Sequence, residues 1–127
     1  MVFSKWSFRI AGIWGLLVVP PLYFLYDIIG QQNPPALTHP EIYYGFVGVT
    51  LAWQLAFLVI SSDPARYRPL MLPAMVEKFG FVIAVAILRA QGRIATNQLP
   101  MAAVDLLLGT LFVVSFIKTS PRRLGSA

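Results

Sequence analysis

The sequence predicts an all-α membrane protein, a four-transmembrane-helix bundle with both termini on the cytoplasmic side. Three observations carry that expectation. The chain of 127 residues is 57% hydrophobic and only 12% charged, whereas a soluble domain carries about 25% charged residues. Four apolar stretches, roughly Phe8–Ile29, Ile42–Ile60, Leu70–Leu88 and Met101–Ile117, take up most of the length. Each approaches the ~20 helical residues that a hydrocarbon core requires. Finally, the basic residues are unevenly placed. Lys5, Arg9, Arg66, Arg68, Lys118, Arg122 and Arg123 fall at the N-terminus, the second connection and the C-terminus, against Arg89 and Arg93 in the third connection. An even number of spans gathers the larger group on one side, which the positive-inside rule makes cytoplasmic. Residues 1–127 are therefore expected to form a single membrane domain. The net charge of +5 reads as orientation beside a lipid bilayer, with no nucleic-acid partner expected.

The first stretch has Lys5 and Arg9 ahead of its apolar run, as secretory leaders do. Its length, and its end in Tyr26-Asp27-Ile28-Ile29-Gly30 without a small-residue cleavage site, predict a retained first helix. Pro20-Pro21 near its middle predict a kink, because proline removes intrahelical hydrogen bonds and clashes with the preceding turn. That kink reads as packing, the functional alternative being a hinge or a carbonyl exposed at a binding site. The connection from Gly30 to Pro40 lacks Lys and Arg and holds Asn33, Pro34-Pro35 and His39-Pro40, predicting a stiff outer loop. The second helix begins at Glu41, where the helix dipole favours a carboxylate. Gly45, Gly48, Ala52 and Ala56 form a small-residue stripe on it, a pattern that allows close helix approach in lipid, and Gln54 projects from the opposite side. In the second connection Asp63-Pro64 fits a turn and Pro69 a helix start. Arg66 and Arg68 there, with Lys78 beyond, are candidates for binding lipid headgroups. The third connection, Arg89 to Pro100, is expected to face outward, and the tail from Ser120 to Ala127 to be short and frayed.

Glu77-Lys78 must lie inside the third span, because Phe79 to Leu88 offers only ten apolar residues before Arg89. Ionisable groups at such a depth face a bundle interior, a cavity or a partner. At 1.5 Å per residue, Glu77 sits about 10 Å inside the cytoplasmic edge and Gln54 about 9 Å, so the two are expected to share a polar layer near Trp14-Gly15, Trp53 and Gly109-Thr110. Lys78, turned about 100° from Glu77, is expected to lead its ammonium toward the cytoplasmic headgroups or into a salt bridge. Asp105, about 6 Å inside the outer edge, is expected to form a second layer with Arg89 or Arg93. Glu77, Gln54, Asp105 and Arg89 are thus the candidate ligand- or proton-binding residues. Tyr23, Tyr26, Tyr43 and Tyr44 lie near the outer level and read as an interfacial belt; the alternative is a polar vestibule lined by Tyr26, Tyr43, Arg89 and Asp105.

The absence of cysteine excludes disulfides and thiolate metal sites, and a single histidine, His39, excludes a multi-histidine metal or haem site. No cofactor is expected, and no hydrolase motif surrounds any Ser or Thr. In span number, length and cytoplasmic termini the chain resembles small bacterial four-helix membrane proteins of the DoxX-like kind. The segments His39-Pro40-Glu41-Ile42-Tyr43-Tyr44-Gly45 and Asp63-Pro64-Ala65-Arg66-Tyr67-Arg68-Pro69 look like family signatures. The resemblance carries over no functional residue; the expected location is the bacterial inner (plasma) membrane. Small multidrug transporters place a key glutamate in the first helix, where this chain has only Asp27. Three functions follow. The first is a non-enzymatic accessory or apolar-ligand-binding bundle organised around Glu77 and Gln54. The second is a small oligomeric transporter or channel with Glu77 as its proton-sensitive group. The third is a membrane enzyme on a lipid, similar in scheme to emopamil-binding-protein-like isomerases, which lacks a second acid/base at the level of Glu77. A homo-oligomer or a larger membrane complex is open in each case.

Overall fold

A computed structural model describes residues 1–35 and 37–121. The described residues fold as helices and connections, and four helical segments are long and apolar enough to cross a membrane: Val2–Phe24, Pro40–Ser62, Arg68–Ala90 and Thr96–Lys118. Arg122, Arg123 and most of the basic tail lie outside the described residues. The α-helices are α1 (Val2–Val18), α2 (Tyr26–Gln32), α3 (Pro40–Ser62), α4 (Met71–Ala90) and α5 (Leu99–Lys118).

The first span is the one that departs from its expected bounds. It runs over Val2–Phe24 rather than Phe8–Ile29, and the stretch beyond it is a separate short helix. Two causes act at its two ends. Lys5 and Arg9 do not delay the helix, since long basic side chains near a helix end can reach out of the apolar layer; the Arg9 guanidinium lies 5.1 Å from the Trp6 ring. At the other end Pro20 and Pro21 supply no N–H, so α1 stops at Val18 and the chain tightens into a 3₁₀ turn over Pro20–Phe24. The Tyr43 hydroxyl of α3 donates to the Leu22 carbonyl within that turn at 2.6 Å, which secures the break from the neighbouring helix.

The other three apolar stretches lie within the segments Pro40–Ser62, Arg68–Ala90 and Thr96–Lys118. Pro40 starts α3, with Glu41 in its first turn. Its last turn is bound by its own hydroxyls, Ser61 and Ser62 donating to Leu58 and Val59. The end of α4 is a glycine-terminated motif: Gly92 has φ +69°, the Arg93 N–H donates to Leu88 at 2.9 Å and the Gly92 N–H to Arg89 at 3.0 Å. The connection into α5 is tied back to the end of α2, where Asn33 Oδ1 accepts from Asn97 at 3.0 Å and from Gln98 at 3.1 Å.

Packing is uneven around the bundle. The closest associations are α1 with α3 and α4 with α5, α1 also lies on α5, and α3 and α4 touch only sparsely although they are consecutive. Small residues explain the first two. A Cβ added at Gly12 would stand 2.7 Å from Leu58 and 2.9 Å from the Gln54 carbonyl, and one at Gly15 would overlap the Gln54 side chain. A Cβ at Gly109 would meet Phe79 at 2.9 Å and Lys78 at 3.2 Å. The stripe Gly45, Gly48, Ala52 and Ala56 does not have this role: Gly45 and Ala52 are exposed, and a Cβ at Gly45 would meet nothing within 4 Å. The tight side of α3 is the one carrying Gln54, so the expected division of its faces is reversed. The dry core lies toward one end, where Phe8 stacks on Phe112 at 4.1 Å and Phe57 meets Phe112 edge-on at 5.0 Å, beside Ile60, Met71 and Ala74.

Gly12→Ala is expected to lower the stability of the detergent-solubilised protein by about 1–3 kcal/mol, the range for overpacking a close contact. Gly45→Ala, on the open face, is expected to leave the thermal midpoint unchanged; equal shifts for both would contradict the packing described.

Candidate functional site

The sparse seam between α3 and α4 is the side of a cavity of about 660 Å³. α1 and the 3₁₀ turn form its back, with Trp14, Gly15 and Leu22; α3 gives Tyr43, Thr50, Trp53 and Gln54; α4 gives Glu77, Lys78 and Phe81. Gln98, Met101 and Asp105 close it from the α5 side. Its rim on the two flanking helices is apolar and exposed, Phe46 and Val49 on α3 and Val76 on α4. The opening therefore looks sideways from the spans rather than along the bundle axis.

Charge is concentrated where α4 meets α5. Lys78 is 4% exposed, and its Nζ lies 3.2 Å from Asp105 Oδ1 and 3.5 Å from Glu77 Oε2. The ammonium also stands 5.3 Å from the Phe57 ring, against whose face a cation is attracted. Of the two courses expected for it, Lys78 takes the salt bridge rather than the headgroup, and Asp105 pairs with it instead of with Arg89 or Arg93. The reason is the Gly109 surface: with no side chain there, α4 and α5 approach closely enough for Lys78 to enter the interface one helical turn from Asp105. Two polar layers expected at separate depths are thereby joined by one lysine stem. Arg89 and Arg93 are exposed and do not line the cavity.

Gln54 and Glu77 both line the cavity, yet they do not hydrogen-bond to each other. Gln54 is 2% exposed; its Nε2 donates to the Thr50 carbonyl at 2.9 Å, while Oε1 has no partner. Glu77 Oε2 is likewise buried without a hydrogen bond, held only by the longer ion-pair distance to Lys78. Thr110, expected near this layer, is exposed and donates to Leu106.

No protein-family model, curated protein or solved structure matches this chain. Four segments of the described residues are long and apolar enough to cross a membrane, which is consistent with a small four-helix membrane protein. No family match supports the DoxX-like resemblance.

The other candidates have structural partners. Arg68 Nε donates to the Phe116 carbonyl at 3.1 Å, and its guanidinium lies 3.6 Å from the Phe116 ring centre, so it caps the last turn of α5. Arg66 is exposed, 5.4 Å from the Tyr67 ring. Tyr23, Tyr26, Tyr43 and Tyr44 form one stacked group, with Tyr26 and Tyr43 edge-on at 5.1 Å. Desolvation, then Tyr44, Asp27 and Glu41, hold the Tyr26 phenol above its ordinary pKa; it donates to the Leu37 carbonyl at 2.7 Å. His39 Nδ1 lies 3.2 Å from Glu41 Oε1 at the exposed start of α3. Among the described residues no three metal-ligating side chains converge.

The inward position of Lys78 has a sequence signal. Met71, Ala74, Lys78 and Val85 are the buried residues of α4, spaced as the packed stripe of a helix. Asp105 falls in step with Ala102, Gly109 and Phe112, which are buried in α5. Reading both stripes together places a lysine and an aspartate on facing seams.

Lys78→Met strands two carboxyl groups and is expected to cost about 3–5 kcal/mol, the range for breaking a buried ion pair. Combining it with Glu77→Gln and Asp105→Asn is expected to recover most of that loss. Unfolding titrations in mixed micelles distinguish this outcome from additive losses.

Proposed function

We propose that this chain is a non-enzymatic membrane bundle that binds an amphiphile within its bilayer-facing cavity. One observation carries the reading: a volume of about 660 Å³ has apolar walls and a small convergent set of polar groups, Gln54, Glu77, Lys78 and Asp105. That volume is within the range of ~300–1,000 Å³ typical of ligand sites, which combine such walls with few placed polar groups. The exposed apolar rim of Phe46, Val49 and Val76 supports entry from the lipid rather than from water.

A membrane isomerase-like enzyme is the second reading, favoured by a specific feature. Asp105 lines the same cavity as Glu77, so two carboxyl groups border one apolar volume. Both share Lys78, which argues for a fixed ion cluster over an independent acid and base. Incubation with membrane lipid extract separates the readings: the binding reading expects no altered lipid, whereas turnover supports the enzyme.

The proposed orientation has both termini in the cytoplasm, in the bacterial inner membrane. Lys118 lies 4.5 Å from the Phe3 ring and Arg68 is bound to Phe116, so basic residues of the second connection and of the end of α5 lie at the same end of the bundle as the N-terminus. Juxtamembrane basic residues favour the cytoplasmic side. Because the chain has no cysteine, Ser62→Cys and Thr96→Cys are direct reporters. An impermeant thiol reagent added to intact cells is expected to label the Thr96 position and not the Ser62 position.

Ligand binding is tested with 12-bromododecanol, whose heavy atom quenches indole fluorescence, in phosphatidylcholine nanodiscs. In a Trp6→Phe background Trp14 and Trp53 report. Quenching is expected to saturate, and Thr50→Phe, which fills the cavity, is expected to weaken binding at least tenfold. Gly45→Phe on the outer face is expected to leave it unchanged. Linear quenching that ignores both substitutions sinks the reading.

A further inference from the structure

We infer that the cavity selects an amphiphile with a protonated amine head, an inference that rests on the ligand-binding reading above. The charged groups that line it are Glu77 and Lys78 from α4 and Asp105 from α5; α1 contributes none. Tyr43, the titratable group from α3, uses its hydroxyl to donate to Leu22. Two carboxyl groups thus share one ammonium. With all three ionised, the cluster carries one surplus negative charge in a region that lipid and apolar side chains keep dry. Such a charge is relieved either by a proton or by a counter-charge, and a ligand ammonium supplies the second.

The hydrogen-bond inventory points the same way. Two side-chain oxygens of cavity-lining residues lack hydrogen-bond partners, Gln54 Oε1, packed against Gly15, and Glu77 Oε2, 3.5 Å from the Lys78 ammonium, and both are acceptors. The amide orientation of Gln54 is fixed chemically, because the nitrogen must face the Thr50 carbonyl. The other unpartnered buried atoms, Ser4 Oγ and Ser115 Oγ, belong to residues outside the cavity lining. A ligand that answers the surplus charge of the Glu77 and Asp105 carboxyl groups therefore brings a positive charge with N–H donors. A carboxylate or phosphate head meets repulsion, and a neutral head leaves the surplus charge unanswered. Trp14, Trp53 and Phe81 in the walls favour an organic ammonium over a bare metal ion, since aromatic faces attract cations while a hydrocarbon tail rests on their apolar surface.

Glu77 and Asp105 each become decisive by the same arithmetic. Neutralising either one leaves a single carboxylate with Lys78, a balanced pair without need of a cation. The preference for an amine should then vanish while binding of the tail persists.

Dodecylamine and 1-dodecanol, which share a chain length and differ in head charge at neutral pH, are competed against 12-bromododecanol in phosphatidylcholine nanodiscs. Affinities are expressed per mole fraction in the bilayer, so that partition does not enter. In the Trp6→Phe protein dodecylamine is expected to bind at least tenfold tighter than 1-dodecanol. In Glu77→Gln and, separately, in Asp105→Asn that ratio is expected to fall to within twofold. Equal affinity in the unsubstituted cavity overturns the amine inference and leaves the ligand-binding reading intact, and a preference that persists in both variants also overturns it. Failure of either amphiphile to displace the bromo-alcohol overturns both. The comparison in the Trp6→Phe protein stands alone should either carboxyl variant fail to fold.

Discussion

The ammonium of Lys78, shared between Asp105 and Glu77, is the interaction on which the architecture turns. It places three ionisable groups where helices are otherwise solvated by lipid, and such groups are tolerated only with partners. Each has a structural consequence. Asp105 fixes α5 against α4, Glu77 brings charge to the cavity, and Lys78 at 3.2 Å and 3.5 Å from the two carboxyl groups prevents either from standing alone. Gly109 makes the arrangement possible by letting the two helices close around the lysine stem.

The cavity follows from where small residues are placed. In lipid, helices associate through close packing rather than through a hydrophobic drive, and glycine sets how closely backbones approach. Gly12 and Gly15 draw α1 onto α3, and Gly109 draws α4 onto α5. Nothing comparable joins α3 to α4: Gly45 and Gly48 do not bring that neighbour close, a Cβ at Gly48 meeting only the Tyr23 hydroxyl. Two tight pairs joined through α1 and α5, with their aromatic core toward one end, leave the opposite seam open. The proline break completes the back wall, since a turn over Pro20–Phe24 replaces the helix that would otherwise continue.

Much of the fold was legible because it depends on local quantities. Apolar length located the spans, and Pro34, Pro40, Pro69, Gly92 and Asn97 marked connections through known backbone preferences. The error at the first span came from treating Lys5 and Arg9 as a boundary and Pro20-Pro21 as a mere kink. The site was legible as a set of residues and not as a geometry. Depth counted along helix axes put Glu77 with Gln54 and Asp105 with Arg89, but axis counting ignores the reach of a lysine and the spacing permitted by a glycine on the facing helix. For Lys78 the two expected courses resolve to the salt bridge, because a partner within reach outweighs a longer route to water. The packed stripe through Met71, Ala74, Lys78 and Val85 carried the correct information. Gly45, Gly48, Ala52 and Ala56 show the converse, a pattern with the right spacing that brings no helix of the same chain close, a Cβ at Gly48 meeting the Tyr23 hydroxyl and one at Gly45 nothing within 4 Å.

The sideways opening between Phe46, Val49 and Val76 changes what provides the binding energy. In a site open to water, burial of a hydrocarbon tail contributes about 0.8 kcal/mol per methylene. On the proposed ligand-binding reading, the tail leaves one hydrocarbon medium for another, with acyl chains rather than water as the alternative occupant of the seam. Exchange of tail for tail is close to neutral, so chain length alone distinguishes ligands poorly. On that reading discrimination falls to the few polar groups that α3, α4 and α5 bring to the cavity, and the abundant lipid of the membrane becomes the competitor that a ligand has to displace.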